Sequence, residues 1–160
     1  MFLFPLRSVL LITVLPLLAA CSDSPFRPFE IFYSITAEQA VIIFIYEDQA
    51  GERMRTRVYP EDGEIGIGQE PARDELRTLS ASESAQIQAL FRDVDFAAFD
   101  DNDYIPPLDA SLWAVNVTGT GEDYVTVLEP SELTEQRNLS ELITLGAYLW
   151  DLAGLSGAYY

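Results

Sequence analysis

Histidine and lysine are absent from this 160-residue sequence, and cysteine occurs once, at Cys21. Without histidine, Ser-His-Asp and Cys-His catalysis and the imidazole ligands of most zinc sites are excluded. A single cysteine excludes an intrachain disulfide. Without lysine every cation is an arginine, and nine of these stand against 26 acidic residues, a formal charge of −17. A chain this acidic repels nucleic acid, and anionic headgroups as well, unless a cation bridges them. The sequence also lacks a Walker loop, a dinucleotide glycine fingerprint and any cluster with metal-ligand spacing; Gly66 and Gly68 are too sparse to substitute. No cofactor is expected.

The N-terminus holds the one long apolar run, MFLFPLRSVLLITVLPLLAA, with a single charge at Arg7 and no acid before Asp23. A charged start, a short apolar stretch and small residues at its exit form the pattern of a secretory signal. The stretch after Arg7 is shorter than the roughly 20 apolar residues of a spanning helix. Leu18-Ala19-Ala20-Cys21 resembles the lipobox of bacterial lipoproteins. That resemblance covers about the first 22 residues. It implies cleavage before Cys21, acylation of the cysteine and attachment to a membrane, and Ser22 in place of aspartate implies the outer membrane, facing the periplasm. The expected divisions are a signal peptide over 1–20, a lipidated tether over 21–28 and one globular domain over 29–160. Cleavage leaves eight arginines against 26 acids, a formal charge of −18. At roughly 3.3 Å per residue the tether reaches only about 25 Å, so the domain would sit beside the membrane.

Patterning beyond the tether alternates between strand and helix. Glu30–Ile35 is expected as an edge-like strand, and AVIIFIY over Ala40–Tyr46 as a strand buried on both faces or central in a sheet. RMRTRVY, Arg53–Tyr59, alternates strictly and closes a hairpin with it. DGEIGIG is an extra strand or a loop. Ser80-Ala81-Ser82-Glu83 is a capping box that opens a helix to about Arg92, with Ile87, Leu90, Phe91 and Val94 on its buried stripe. SLWAVNVT and YVTVLE form a second hairpin. In the last helix Leu139, Leu142, Ile143, Gly146, Leu149, Trp150 and Ala153 share a face, Asn138 is the expected cap and Gly154 the stop. The expectation is an α+β fold: an antiparallel sheet of about 4–6 strands with two helices packed on one face. This layout resembles that of small envelope lipoproteins in element order alone. Hairpin, Glu-Pro and helix occur in both halves (Glu70-Pro71, Glu129-Pro130), a faint echo that duplication or coincidence explains equally well.

Three features are candidates for function. Arg53, Arg55 and Arg57, at i, i+2 and i+4, project from one face of one strand and form the only concentrated basic locus. A guanidinium row suits bidentate capture of carboxylates or phosphates. The competing reading pairs them with the chain's own acids, such as Glu47 or residues near Glu64. Asp100, Asp101 and Asp103, with Asp93 and Asp95 upstream, form a weak calcium candidate. The EF-hand pattern fails there, because counting from Asp101 places Pro106 and Leu112 where glycine and glutamate are required. Two carboxylates placed for glycan hydrolysis would make an enzyme, but no pair among 26 acids stands out. Trp113, alternating with Val115 and Val117, belongs to the core. The leading expectation is a non-catalytic binding or accessory module anchored through Cys21, with an envelope protein as partner. The alternatives are a carboxylate-dependent hydrolase and a small inhibitor or ligand-sequestering protein.

Overall fold

The computed structural model describes residues 27–35, 39–59, 70–99, 111–117, 124–130 and 132–157. Cys21, most of the tether, the DGEIGIG piece and Asp100, Asp101 and Asp103 lie outside them. The described elements are strands β1 (Phe29–Ile35), β2 (Gln39–Asp48), β3 (Gly51–Tyr59) and β4 (Arg73–Thr78), helix α1 (Ala81–Asp93), a single 3-10 turn at Phe96–Ala98, strands β5 (Leu112–Val117) and β6 (Tyr124–Leu128), and helix α2 (Ser140–Leu152). The strands form one six-stranded sheet in the order β4-β3-β2-β1-β5-β6, with every pairing antiparallel. The fold is α+β, and both helices pack on one face.

Alternation selects that face. Phe29, Ile31 and Tyr33 of β1, Val41, Ile43 and Ile45 of β2, Met54 and Val58 of β3, and Trp113 and Val115 of β5 are all buried beneath the helices. The helices supply Ile87 and Phe91 from α1, and Leu142, Leu145, Leu149 and Trp150 from α2. A fully buried leucine is worth roughly 1.5–3 kcal/mol, so the α2 stripe alone accounts for much of its docking. Phe29 stacks on Phe91 with centroids 4.3 Å apart, and Tyr33 meets Trp113 edge-on at 4.9 Å. The Tyr33 hydroxyl, buried between Trp113 and Trp150, donates to the Gly146 carbonyl at 3.2 Å. Gly146 is required there, because a Cβ would run into the Cζ3 and Cη2 atoms of Trp113.

Two local expectations are corrected, and one unanticipated strand appears. First, β1 is central rather than an edge strand, lying between β2 and β5. Second, Arg73–Thr78, RDELRT, is a strand with no apolar alternation to announce it, and it forms the sheet edge. Charged residues are common on edges, where they discourage further pairing. Third, Asn138 does not cap α2. It sits at φ 56°, its side-chain amide donates to the Ala98 carbonyl, and Leu139 occupies the N-cap position without a side-chain bond. At the other end Gly154 stops α2 at φ 63°, as expected. The Glu-Pro echo also weakens, since Glu70-Pro71 leads into β4 rather than into a helix.

Arginines tie the edge strand to the helices. Arg73 and Arg77 donate to the Ala153 and Leu152 carbonyls, each at 3.0 Å, where the α2 dipole favours positive charge. Arg77 also pairs with Glu83, the last residue of the α1 capping box. Buried Arg137 donates to the carbonyls of Leu128, Glu129 and Glu132 at 2.6, 2.8 and 3.1 Å and clasps the turn that leads from β6 to α2.

Candidate functional site: the open face of the sheet

β2 and β3 place the next set of side chains on the face opposite the helices. In the antiparallel register Ile42 lies opposite Arg57, Phe44 opposite Arg55 and Tyr46 opposite Arg53. β4 continues the rows with Asp74 beside Arg57, Leu76 beside Arg55 and Thr78 beside Arg53. No described helix covers these rows. Ile42, Phe44 and Tyr46 are half-buried, so of the two placements the apolar run allowed β2 takes the central one without burial on both faces, and Leu76 is 52% exposed. An antiparallel sheet with one solvated face ordinarily turns polar residues outward. This face turns outward aromatic and aliphatic residues and three arginines.

All three arginines project from that face, and their partners divide them. Arg55 makes a forked pair with Asp74, its Nε and Nη2 donating to the two carboxylate oxygens at 2.7 and 2.6 Å. Arg57 reaches the same carboxylate through one bond at 3.3 Å, and its guanidinium lies over the Phe44 ring, 5.4 Å from the centroid. Arg53 turns to the hairpin end, where it pairs with Asp48 at 3.2 Å and with Thr78. The acids that hold the stripe are therefore Asp74 and Asp48, not Glu47; Glu64 lies outside the described residues. The Arg55 hydrogen bond, supported by the charge of Arg57, holds the Asp74 carboxyl below its usual range. Such pairs are partly solvated and individually weak, so they orient the guanidiniums more than they stabilise the fold.

Phe44, Tyr46, Arg55 and Arg57 surround a shallow hollow of about 240 Å³, which Pro28 also lines where the chain enters β1. Arg53 does not line it. Sequence reasoning found the arginines by their period of two but missed Phe44, Tyr46 and Asp74. Phe44 and Tyr46 were detectable: the strand that pairs with an arginine-bearing face has to present its own alternate residues beside those arginines. Asp74 carried no such signal, because its strand has no pattern.

Among the described residues the remaining acids assemble no second site. Asp93 and Asp95 are exposed, and Asp95 accepts from the Ala97 amide to cap the 3-10 turn. Among the described residues no group of three or more Asp, Glu, Cys or His side chains is placed to hold a metal ion. Glu47 and Glu52 face each other across the first hairpin; burial and then the Glu47 charge push the Glu52 carboxyl upward. Among the described residues no helix is long and apolar enough to cross a membrane. Set against known protein families, curated proteins and solved structures, the chain matches none of them.

Proposed function

We propose that the chain is a lipid-anchored envelope protein, acylated at Cys21 and held at the outer membrane facing the periplasm, and that its domain is a non-catalytic binding or accessory module for an envelope protein. The observation that supports the binding role best is the composition of the open face. Half-exposed Ile42, Phe44 and Tyr46 stand beside the arginines of β3 on a sheet whose other face carries the hydrophobic core cluster. Apolar side chains grouped at a surface mark interaction sites more often than isolated ones do, and arginine and aromatic residues are the types enriched where proteins meet. The Leu18–Cys21 stretch supports the anchor, since two or more acyl chains make membrane attachment stable where one does not.

Crosslinking in intact cells, followed by affinity purification and mass spectrometry, tests the binding role. One dominant protein partner is expected, and its loss when Arg53, Arg55 and Arg57 are all changed to Gln would place its contact on the open face. Failure to recover any reproducible partner would overturn the reading. The anchor is tested separately. Cys21→Ser is expected to abolish metabolic labelling by fatty acid and to release the protein from the membrane fraction, whereas a labelled, membrane-bound variant would contradict it.

A further inference from the structure

The three arginines of the stripe are held differently. Arg55 and Arg57 line the hollow and share one carboxylate, Asp74, while Arg53 faces away toward Asp48 and Thr78. Among the described residues beside the hollow two guanidiniums share the one carboxylate of Asp74, while Glu30, opposite Phe44 on the same face, accepts from the Asn116 side-chain amide at 3.1 Å, so the charge at the hollow itself is that of the two guanidiniums and Asp74. The walls next to that charge are the rings of Phe44 and Tyr46 and the ring of Pro28. At about 240 Å³ the hollow is smaller than the roughly 300–1,000 Å³ of sites that enclose a small-molecule ligand. Its size suits one or two side chains presented by a larger partner.

We infer that the hollow between β2 and β3 receives a protein segment in which a glutamate or aspartate adjoins an aromatic residue, with the carboxylate on Arg57 and Arg55 and the ring against Phe44, Tyr46 and Pro28. This rests on the binding-module reading and specifies the chemistry of its partner. Arg57 is the decisive contact. Its single bond to Asp74, at 3.3 Å, is the weaker of the two arginine attachments, and its guanidinium lies over the Phe44 face, 5.4 Å from the centroid. An incoming carboxylate draws Arg57 from Asp74 while Arg55 keeps its forked pair. Asp74 is then an internal competitor that occupies the arginines until a partner arrives. Charge-assisted bonds of this kind are stronger than neutral ones and demand planar alignment, which selects carboxylate over amide.

Titration of capped peptides into the purified full-length protein in detergent micelles tests this, read from the arginine Nε–Hε signals by NMR. The probes are acetyl-Ala-Glu-Phe-Ala-amide and the same peptide with glutamine in place of glutamate. The glutamate peptide is expected to shift the Arg55 and Arg57 signals saturably, and the glutamine peptide to bind about tenfold or more weakly. Arg57→Gln should weaken the glutamate peptide by a similar factor, Arg53→Gln by much less, and Arg92→Gln, remote on α1, not at all. Asp74→Asn removes the competitor and should tighten binding, a change that a purely structural role for Asp74 would not produce. Equal response to both peptides, no saturable shift, or equal losses from Arg53→Gln and Arg57→Gln would each overturn the assignment. The in-cell experiment separates the two levels: a partner retained after Arg55 and Arg57 are changed leaves the binding module standing and sinks this site, whereas peptide binding without any cellular partner does the reverse.

Discussion

On the helix-covered face of the sheet Tyr33, Trp113, Gly146 and Trp150 interlock, and their aromatic contacts leave no space for a single added carbon at Gly146. On the open face, a strand's thickness away, Phe44, Tyr46, Arg55 and Arg57 surround a hollow and stay within reach of solvent. Both faces come from the same strands, residue by alternate residue. On one face tight packing makes the fold unique, so substitutions there should cost stability. The other face contributes little to holding the molecule together, and its arrangement is maintained by partly solvated ion pairs that are worth little on their own.

That contrast can be broken by substitution, and the largest effect is expected at Gly146. Gly146→Ala forces a methyl group into the Trp113 ring, and overpacking of this kind costs about 1–3 kcal/mol or more; thermal unfolding should show the largest fall of any single substitution considered. Arg137→Met comes next. It removes the donor to three carbonyls at a buried site, for an expected loss of about 2 kcal/mol in urea unfolding.

Glu83→Ala is smaller, about 1 kcal/mol, because it opens the α1 capping box and frees Arg77. The Arg77 pair, helped by the Ser80 amide and hydroxyl, holds the Glu83 carboxyl down to about 2. A lowered value means that the contribution is fully present above the ordinary carboxylate range and is lost as the pH falls from about 4.5 toward 2. The wild type should therefore lose more stability than Glu83→Ala across that window, and parallel curves would contradict the assignment.

The smallest effect has the opposite sign. Glu52→Gln relieves the Glu47 repulsion across the hairpin, and should raise the unfolding free energy by about a few tenths of a kcal/mol at neutral pH and by less in acid, where Glu52 is already protonated.

The same contrast explains what could be read from the chain before its structure. Alternation in RMRTRVY placed the arginines on one face, and the 3.6-residue spacing of Leu142, Leu149 and Trp150 placed α2 on the core, because burial imposes those periods. The capping box at Ser80 carried its own local geometry. Sheet order carried no local signal: β1 is central because β5 returns to pair with it across a gap of more than 70 residues. β4 escaped notice because its structural role belongs to Arg73 and Arg77, whose bonds go to α2 carbonyls far along the chain. With β4 unread, Asp74 goes unread as well, and Glu47 stands in its place as an expected partner. The hollow was hidden for the same reason, since it depends on how three strands register and not on any one of them.

The central claim is that the arginines of the open face carry little structural duty, unlike Ala40 and Tyr59, which are buried at the end of the same rows. Urea unfolding of the Arg53→Gln, Arg55→Gln, Arg57→Gln triple variant beside the wild type and Gly146→Ala tests it most directly. The triple variant should unfold with the wild type, at nearly the same midpoint and slope, while Gly146→Ala falls well below both. A triple variant that falls as far as Gly146→Ala would show that the arginines hold the fold, and the open face would lose its standing as a binding surface.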